Sequence, residues 1–184
     1  MATEIELKAH VRDYEALKLI LCEKAKFLGT FEKEDSYWYA AESAASNKEF
    51  RLRKEKRIVD GVEKFTSFIS YKKKEVRDQI EINKEREFEV NQSEMLEEFL
   101  SELGLKPRIS KRKRGWAYNW EGITAELAEV EGLGWFIELE ILSDSECGVS
   151  FEEAKKRLMD LLFNLGIEEN AIESRYYTDM LLSM

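Results

Sequence analysis

Charged side chains recur at alternating positions in several short segments of this chain. In an extended strand such residues share one face, and the residues between them share the other. Apolar residues fill most of the intervening positions, so one face of each segment is ionic and the other apolar. Carboxylates on such a face can bind hard cations, and guanidinium groups can bind phosphate oxygens in pairs. The charged positions are Glu4, Glu6 and Lys8, then Arg51 and Arg53, then Glu87 and Glu89, and finally Glu138 and Glu140.

One such strand is as typical of a protein surface as of a binding site, but the recurrence indicates a shared structure. Several strands with charges on one face predict a sheet closed upon a charged interior. Its apolar exterior would then be covered by helices. The hairpin signal at Asp60-Gly61 favours antiparallel order. The sequence therefore predicts a single α+β domain over residues 1–184, a closed antiparallel β-barrel of about eight strands with helices packed outside.

Three helices are predicted from capping residues and apolar periodicity, and further elements from local composition. The helices run from Asp13 to Gly29, from Asn91 to Gly104 and from Ser150 to Gly166. A short aromatic strand is expected at residues 33–39. The ending, Ser174 to Met184, is expected to form a short helix or strand that packs on the barrel.

Composition limits the function classes. The 184 residues are 43% hydrophobic, which is enough for a substantial core. A net charge of −9 argues against a general nucleic-acid binder or a membrane-surface binder, although it leaves room for a local basic pocket. Neither a signal peptide nor an apolar run long enough to cross a bilayer is present, so a cytoplasmic location is expected.

Further motifs follow the opening Glu4-x-Glu6-x-Lys8 in order along the chain. They are Asp35-x-Tyr37-Trp38, Arg51 and Arg53, Lys72, Glu87 and Glu89, Arg112 and Arg114, Gly132-Leu133-Gly134 with Glu138-x-Glu140, and the ending from Arg175 to Asp179. This series resembles the CYTH superfamily, the triphosphate tunnel metalloenzymes. That superfamily includes class IV adenylyl cyclases, thiamine triphosphatases and inorganic tripolyphosphatases.

The resemblance implies a tunnel that binds a triphosphate together with Mg²⁺ or Mn²⁺. It assigns the triphosphate to Lys8, Arg51, Arg53, Lys72, Arg112 and Arg114, and the metal to Glu4, Glu6, Glu138 and Glu140. Lys72 and Glu6 are the expected catalytic residues, with Lys72 acting as the base or orienting it. Supporting roles fall to Glu87, Glu89, Glu126 and Arg175.

Three positions depart from the family pattern. Glu85 stands where a basic residue is usual, two positions before the acidic pair of the fifth strand. The basic pair of the sixth strand lies within the run 111–114, so its register can shift by one residue. Ala128 replaces a common Asp, and Glu126, which points to the same face, could substitute for it.

Three functions are compatible with this pattern. The first is hydrolysis of a triphosphate, the second is cyclisation of ATP to cyclic AMP and pyrophosphate, and the third is non-catalytic binding of polyphosphate or nucleotide. The sequence has no recognisable base-binding motif, which favours the hydrolase. The carboxylates of Glu4, Glu6, Glu138 and Glu140 favour catalysis over binding alone. Tripolyphosphate, thiamine triphosphate, ATP and an RNA 5′-triphosphate remain open as substrates, and an exposed barrel wall could form a homodimer.

Overall fold

A computed structural model describes residues 3–40, 49–143 and 148–184. Within these residues eight strands close into an antiparallel barrel, which confirms the predicted fold class. The strands are β1 (Thr3–His10), β2 (Lys26–Ala40), β3 (Glu49–Val59), β4 (Val62–Arg77), β5 (Ile80–Glu89), β6 (Leu105–Trp120), β7 (Ile123–Val130) and β8 (Gly134–Ser143). The helices are α1 (Tyr14–Lys24), α2 (Ser93–Glu102), α3 (Phe151–Asn164) and α4 (Tyr177–Leu182), and a 3₁₀ turn spans Glu169–Ala171.

The order of strands around the barrel is β1, β5, β4, β3, β2, β6, β7 and β8, with β8 returning to β1. The closing pair sets Glu6 opposite Glu140 and Lys8 opposite Glu138. Residues opposite each other in an antiparallel ladder point to the same face. The charged faces of β1 and β8 are therefore both turned into the barrel.

The main apolar core lies outside the barrel rather than within it. Apolar residues of β1, such as Leu7, and of β8, such as Ile137, pack against Leu17 and Leu21 of α1 and Leu158 of α3. A second cluster joins α2 to the outer faces of β2 and β3. Alternation thus gives each strand an apolar outer face for the helices and leaves the inner face for polar groups.

Helix α4 closes part of the barrel interior. Its Tyr177 and Met180 pack against Val130 of β7 and Phe136 of β8. The segment before α4 is anchored to β1, because the Glu173 amide donates a hydrogen bond of 2.9 Å to the Lys8 carbonyl. The C-terminal segment therefore packs on the barrel, as the sequence predicted. None of the described helices is long and apolar enough to cross a membrane.

Three local predictions differ from the structure. The first helix ends at Lys24 rather than Gly29, and β2 is a strand of 15 residues rather than a short one. Phe27 belongs to this strand and packs against Tyr118 of β6, so tertiary contacts override its helical spacing. Gly29 lies at a register shift with φ of 123°, a conformation that favours glycine. The predicted capping box at Asn91 is also wrong, because Gln92 is the N-cap of α2 and forms no side-chain cap.

Candidate active site

A cavity of about 250 Å³ runs inside the barrel and is lined almost entirely by charged groups. Among the described residues that line it, nine are acidic and nine are basic. Eight of the acids lie on four neighbouring strands, β7, β8, β1 and β5, which we call the acidic arc: Glu126, Glu138, Glu140, Glu4, Glu6, Glu81, Glu85 and Glu87. Eight of the bases lie on the other four strands, β4, β3, β2 and β6, the basic arc: Lys72, Lys74, Arg51, Arg53, Arg57, Lys33, Lys111 and Lys113. The exceptions are Lys8 and Glu55.

Lys72 of the basic arc forms ion pairs with two residues of the acidic arc. Its ammonium group lies 2.8 Å from Glu4 and 2.9 Å from Glu85. Glu85 also accepts a hydrogen bond of 2.8 Å from Arg51. Burial opposes ionisation of Glu85, but Lys72 and Arg51 outweigh it and lower the pKa of this carboxyl to about 2. Burial likewise disfavours the charged form of Lys72, yet its acidic neighbours leave the Lys72 pKa raised, so the side chain is a cation at neutral pH.

A second set of ion pairs is more fully buried, since the Lys113 and Lys33 side chains are 4% and 6% exposed, against 16% for Lys72. Lys113 is 2.9 Å from Glu126 and 2.5 Å from Glu138. Lys33 lies 2.6 Å from the same Glu126. Burial disfavours ionisation of Glu126, but Lys113 and then Lys33 lower its pKa well below the usual value. Glu126, which was considered as a substitute metal ligand, is therefore held between two lysines.

Asp35 of β2 forms ion pairs with two residues of the basic arc. It is fully buried and accepts hydrogen bonds of 2.6 and 2.9 Å from the Arg53 guanidinium group. The Lys111 ammonium group lies 3.1 Å from Asp35 Oδ2, the oxygen that also accepts the 2.9 Å hydrogen bond from Arg53. A two-point contact of this kind fixes the plane of an arginine. Asp35 thus orients Arg53 and Lys111 toward the cavity.

Four carboxylates of the acidic arc have raised pKa values, those of Glu4, Glu6, Glu87 and Glu140, and the shifts of Glu6 and Glu140 are large. Burial, followed by repulsion from Glu81 and Glu138, raises the pKa of Glu6 to about 8. Burial and then the nearby Glu4 raise the pKa of Glu140 to about 7. Because Glu6 and Glu140 face each other in the β1–β8 ladder, ionising both places two negative charges side by side. A bound cation would relieve this repulsion.

The donor set of the acidic arc fits a hard divalent cation in the type of its ligands. Its carboxylates are oxygen ligands, and one buried oxygen of Glu138, Oε1, has no hydrogen-bond partner within the described part of the chain. No group of three Asp, Glu, His or Cys side chains in residues 3–40, 49–143 and 148–184 is arranged to hold a metal ion. The lysines that bind Glu4 and Glu138 would have to release them for these carboxylates to gather around a cation.

Most residues assigned from the sequence line the cavity. They are Glu4, Glu6, Lys8, Arg51, Arg53, Lys72, Glu87, Glu126, Glu138 and Glu140. The prediction for the sixth strand is wrong by one residue, because Lys111 and Lys113 face the cavity. The β2–β6 ladder sets Lys113 opposite Lys33, and it sets Arg112 opposite Glu34 on the outer face.

Four predicted residues therefore lie outside the cavity. Arg112 and Arg114 have side chains that are 63% and 73% exposed and pair with Glu34 and Glu129 on the outside. Glu89 is exposed beyond the end of the cavity-lining part of β5. Arg175 is 63% exposed and binds Glu173 at 2.6 Å.

Several cavity residues were not identified from the sequence. Lys33, Lys74, Glu81 and Asn83 line the cavity beside residues that were. Each continues a period-two pattern, since Lys74 follows Lys72 by two positions and Asn83 precedes Glu85 by two. Extending the alternation along each strand would have found them. The side-chain oxygen of Asn83 is buried and has no hydrogen-bond partner among the described residues.

Comparison with known proteins agrees with this geometry. The CYTH domain family model matches residues 2–177. A protein of Methanocaldococcus jannaschii named "Putative adenylate cyclase MJ0240" is 28% identical over 96% of this chain and 97% of its own length. The PH1819 protein of Pyrococcus horikoshii OT3 has a structure that superposes with a TM-score of 0.83 at 28% identity, covering 98% of each chain.

A closed barrel with facing acidic and basic arcs defines a triphosphate-tunnel fold, and the family match covers nearly the whole chain. The chain belongs to the CYTH family. A more distant structure with this fold is that of "Putative adenylyl cyclase HpAC1" from Hippeastrum, described as revealing a dominant triphosphatase activity. It has a TM-score of 0.69 at 18% identity and covers 100% of this chain and 96% of that chain.

Proposed function

We propose that this protein is a metal-dependent enzyme that hydrolyses a triphosphate bound in the barrel. The observation that carries the proposal is the division of the cavity into an acidic arc and a basic arc. A triphosphate is a polyanion, so the basic arc can bind its phosphate oxygens. The facing carboxylates are the ligands that Mg²⁺ or Mn²⁺ prefers, and they place such a cation beside the bound phosphates.

The chain's own residues have distinct roles in this proposal. Arg51, Arg53, Lys111 and Lys113 bind phosphate oxygens from one side of the cavity. Lys72, which is a cation at neutral pH, cannot accept a proton and therefore orients the terminal phosphate rather than acting as the base. A divalent cation, when bound, neutralises charge on the transferred phosphoryl group.

The acidic arc also provides candidate proton acceptors. The carboxylates of Glu6 and Glu140 have pKa values of about 8 and about 7, close to neutrality. A general base is most effective when its pKa lies near the working pH. Whichever of these two carboxylates stays outside the metal's coordination shell can take up the proton released when water attacks the terminal phosphorus and the remaining diphosphate leaves. Glu4 and Glu138, which lysines hold in the ligand-free protein, complete the proposed metal-binding set.

Cyclisation of ATP is the second candidate, and the name of the Methanocaldococcus jannaschii relative is the observation in its favour. The same arcs would bind the triphosphate, but the ribose 3′-hydroxyl would attack the α-phosphorus and pyrophosphate would leave. The two reactions therefore differ in their products rather than in their electrostatics.

A product assay separates the candidates. Purified protein is incubated with Mg²⁺ or Mn²⁺ and with ATP, tripolyphosphate or thiamine triphosphate, and orthophosphate, pyrophosphate and cyclic AMP are resolved. Orthophosphate is the expected product, and the outward-facing Arg112→Gln variant should retain the wild-type rate. Cyclic AMP with matching pyrophosphate would replace the hydrolase by the cyclase. Binding without any product would identify a non-catalytic polyphosphate or nucleotide binder.

A further inference from the structure

Three buried side-chain atoms of the described residues have no hydrogen-bond partner: Asn83 Oδ1, Glu138 Oε1 and the Tyr177 hydroxyl oxygen. All three belong to residues that line the charged cavity. A buried polar atom without a partner destabilises the folded protein, and most such atoms in native proteins are therefore paired. Their concentration in one cavity indicates a place where ligand binding changes the hydrogen bonding.

The C-terminal motif from Arg175 to Asp179 determines where Tyr177 lies. The guanidinium group of Arg175 donates hydrogen bonds of 2.6 and 3.0 Å to the Glu173 carboxylate. The Glu173 amide in turn donates a hydrogen bond to the Lys8 carbonyl of β1. This anchor brings Tyr177, the first residue of α4, into the barrel, where it is only 8% exposed.

Tyr177 lies beside Glu138. Its ring packs edge-on against Phe136, with 5.0 Å between the ring centres, and Phe136 precedes Glu138 by two residues on the same face of β8. The Lys8 ammonium group lies 5.0 Å from the centre of the Tyr177 ring, and Lys8 is opposite Glu138 in the β1–β8 ladder. Burial, and then the charge of Glu138, raise the pKa of Tyr177 well above its usual value. The hydroxyl group therefore keeps its proton and can donate a hydrogen bond.

The two carboxylate oxygens of Glu138 have different surroundings. Oε2 accepts a hydrogen bond of 2.5 Å from Lys113, whereas Oε1 has no partner among the described residues. If a bound phosphate draws Lys113 away, Oε2 loses its partner and the carboxylate is free to turn. A hydrogen bond from Tyr177 to Oε1 would fix the plane of the carboxylate while Oε2 exchanges Lys113 for a cation. Hydrogen bonds of this kind orient metal ligands and increase metal affinity.

We propose that Tyr177 is a positioning residue whose hydroxyl group donates a hydrogen bond to Glu138 Oε1 when a metal ion and a triphosphate are bound. This inference rests on the proposed function, in which Glu138 is a metal ligand. It also gives the C-terminal motif a role, because Arg175 and Glu173 place the tyrosine that orients the carboxylate. Since the hydroxyl group has no partner in the described part of the ligand-free protein, it stabilises the ligand-bound state rather than the ligand-free fold.

Calorimetric titration of Mn²⁺ into protein saturated with β,γ-methylene-ATP tests this role. Tyr177→Phe keeps the ring and removes only the hydroxyl group, and it should weaken Mn²⁺ binding about tenfold. The control Tyr118→Phe removes a hydroxyl group that contacts Cys22 at 3.4 Å, away from the cavity lining, and it should change the Mn²⁺ affinity less than about twofold. In EDTA, Tyr177→Phe should not lower the melting temperature, because it removes no hydrogen bond seen among the described residues.

Turnover separates this role from the proposed function. With a triphosphate that the wild type hydrolyses, the Mn²⁺ concentration for half-maximal rate should rise about tenfold in Tyr177→Phe, and the rate at saturating Mn²⁺ should stay within about twofold. Equal Mn²⁺ affinity in Tyr177→Phe and the wild type would overturn the inference, as would a loss of affinity accompanied by a lower melting temperature in EDTA. If the wild type binds Mn²⁺ and the analogue but hydrolyses no triphosphate, the proposed function fails and the titration still decides the role of Tyr177. Absence of Mn²⁺ binding by the wild type would overturn both.

Discussion

Replacing Glu6 by glutamine should stabilise the ligand-free protein at pH 8. The pKa of Glu6 is raised from 4.5 to about 8, first by burial and then by Glu81 and Glu138. The folded protein therefore keeps a proton on Glu6 at pH values where the unfolded chain has released it, and the free energy of unfolding falls as the pH rises from about 4.5 to about 8. At about 1.36 kcal/mol for each pKa unit, the loss is on the order of 4 kcal/mol.

Urea denaturation in EDTA at pH 5 and pH 8 measures this effect. The wild type should lose stability between the two pH values, and Glu6→Gln should lose less by on the order of 3 kcal/mol. Some loss remains in the variant, because Glu140 has a raised pKa of about 7 and titrates in the same window. Glu23→Gln, at an exposed position on α1, is the matched control and should follow the wild type. Equal losses of unfolding free energy in Glu6→Gln and the wild type would refute the assignment of this pH dependence to Glu6.

Three further outcomes follow from the structure. Lys113→Gln should lower kcat/KM for the substrate on the order of 10- to 100-fold, because it removes a buried cation that we propose binds phosphate. Arg112→Gln, one residue away on the outer face, should change kcat/KM less than about twofold. Equal losses of kcat/KM in the two variants would favour the register first predicted from the sequence, in which Arg112 faces the cavity. Gly115→Ala should lower the unfolding free energy by about 3 kcal/mol, since a Cβ there would lie 2.0 Å from the Leu127 carbonyl oxygen; an unchanged urea midpoint would contradict this packing. Mg²⁺ with the turned-over triphosphate should raise the melting temperature, and no rise would count against binding in the barrel.

The barrel and most of its charged lining could be predicted because period two is visible in the sequence. Glu4 and Glu6 alternate with buried Ile5 and Leu7, and the structure turns each set to its expected face. Such alternation predicts which side chains share a face of a strand, but it does not predict which strands lie next to each other. Which strands would form the acidic arc depends on strand order, and β1 lies between β5 and β8, which are distant from each other in sequence.

The error on the sixth strand has a different cause. In the run from Lys111 to Arg114 every residue is basic, so charge alone does not show which pair faces inward. Gly115, two residues after Lys113, lies against the Leu127 backbone on β7. This contact shows which face of β6 these two residues share, but it becomes visible only when the strand pairing is known. Register against β2 then places Lys113 beside Lys33 and inside the barrel.

A second cavity, of about 280 Å³, shares six lining residues with the charged one and could not be predicted from the sequence. Its Tyr37 and Phe50 lie on the paired strands β2 and β3, but its Tyr176 comes from far along the chain, and nothing in the local pattern links Tyr176 to the other two. Tyr176 reaches them because the segment before α4 returns to β1, where the Glu173 amide donates a hydrogen bond to the Lys8 carbonyl. A local motif search misses a site of this kind, whose members converge only through tertiary structure.

The ion pairs between the two arcs compete with the binding of a metal ion and of a phosphate. Lys72 already neutralises Glu4, and Lys113 already neutralises Glu138, so a cation or a polyanion that binds alone must leave one member of each broken pair without a counter-charge. When both bind, every separated partner gains a new one. The two ligands are thus thermodynamically coupled, and each must increase the affinity for the other by the same factor. The barrel would respond to the metal and the triphosphate as a joint signal and only weakly to either one by itself.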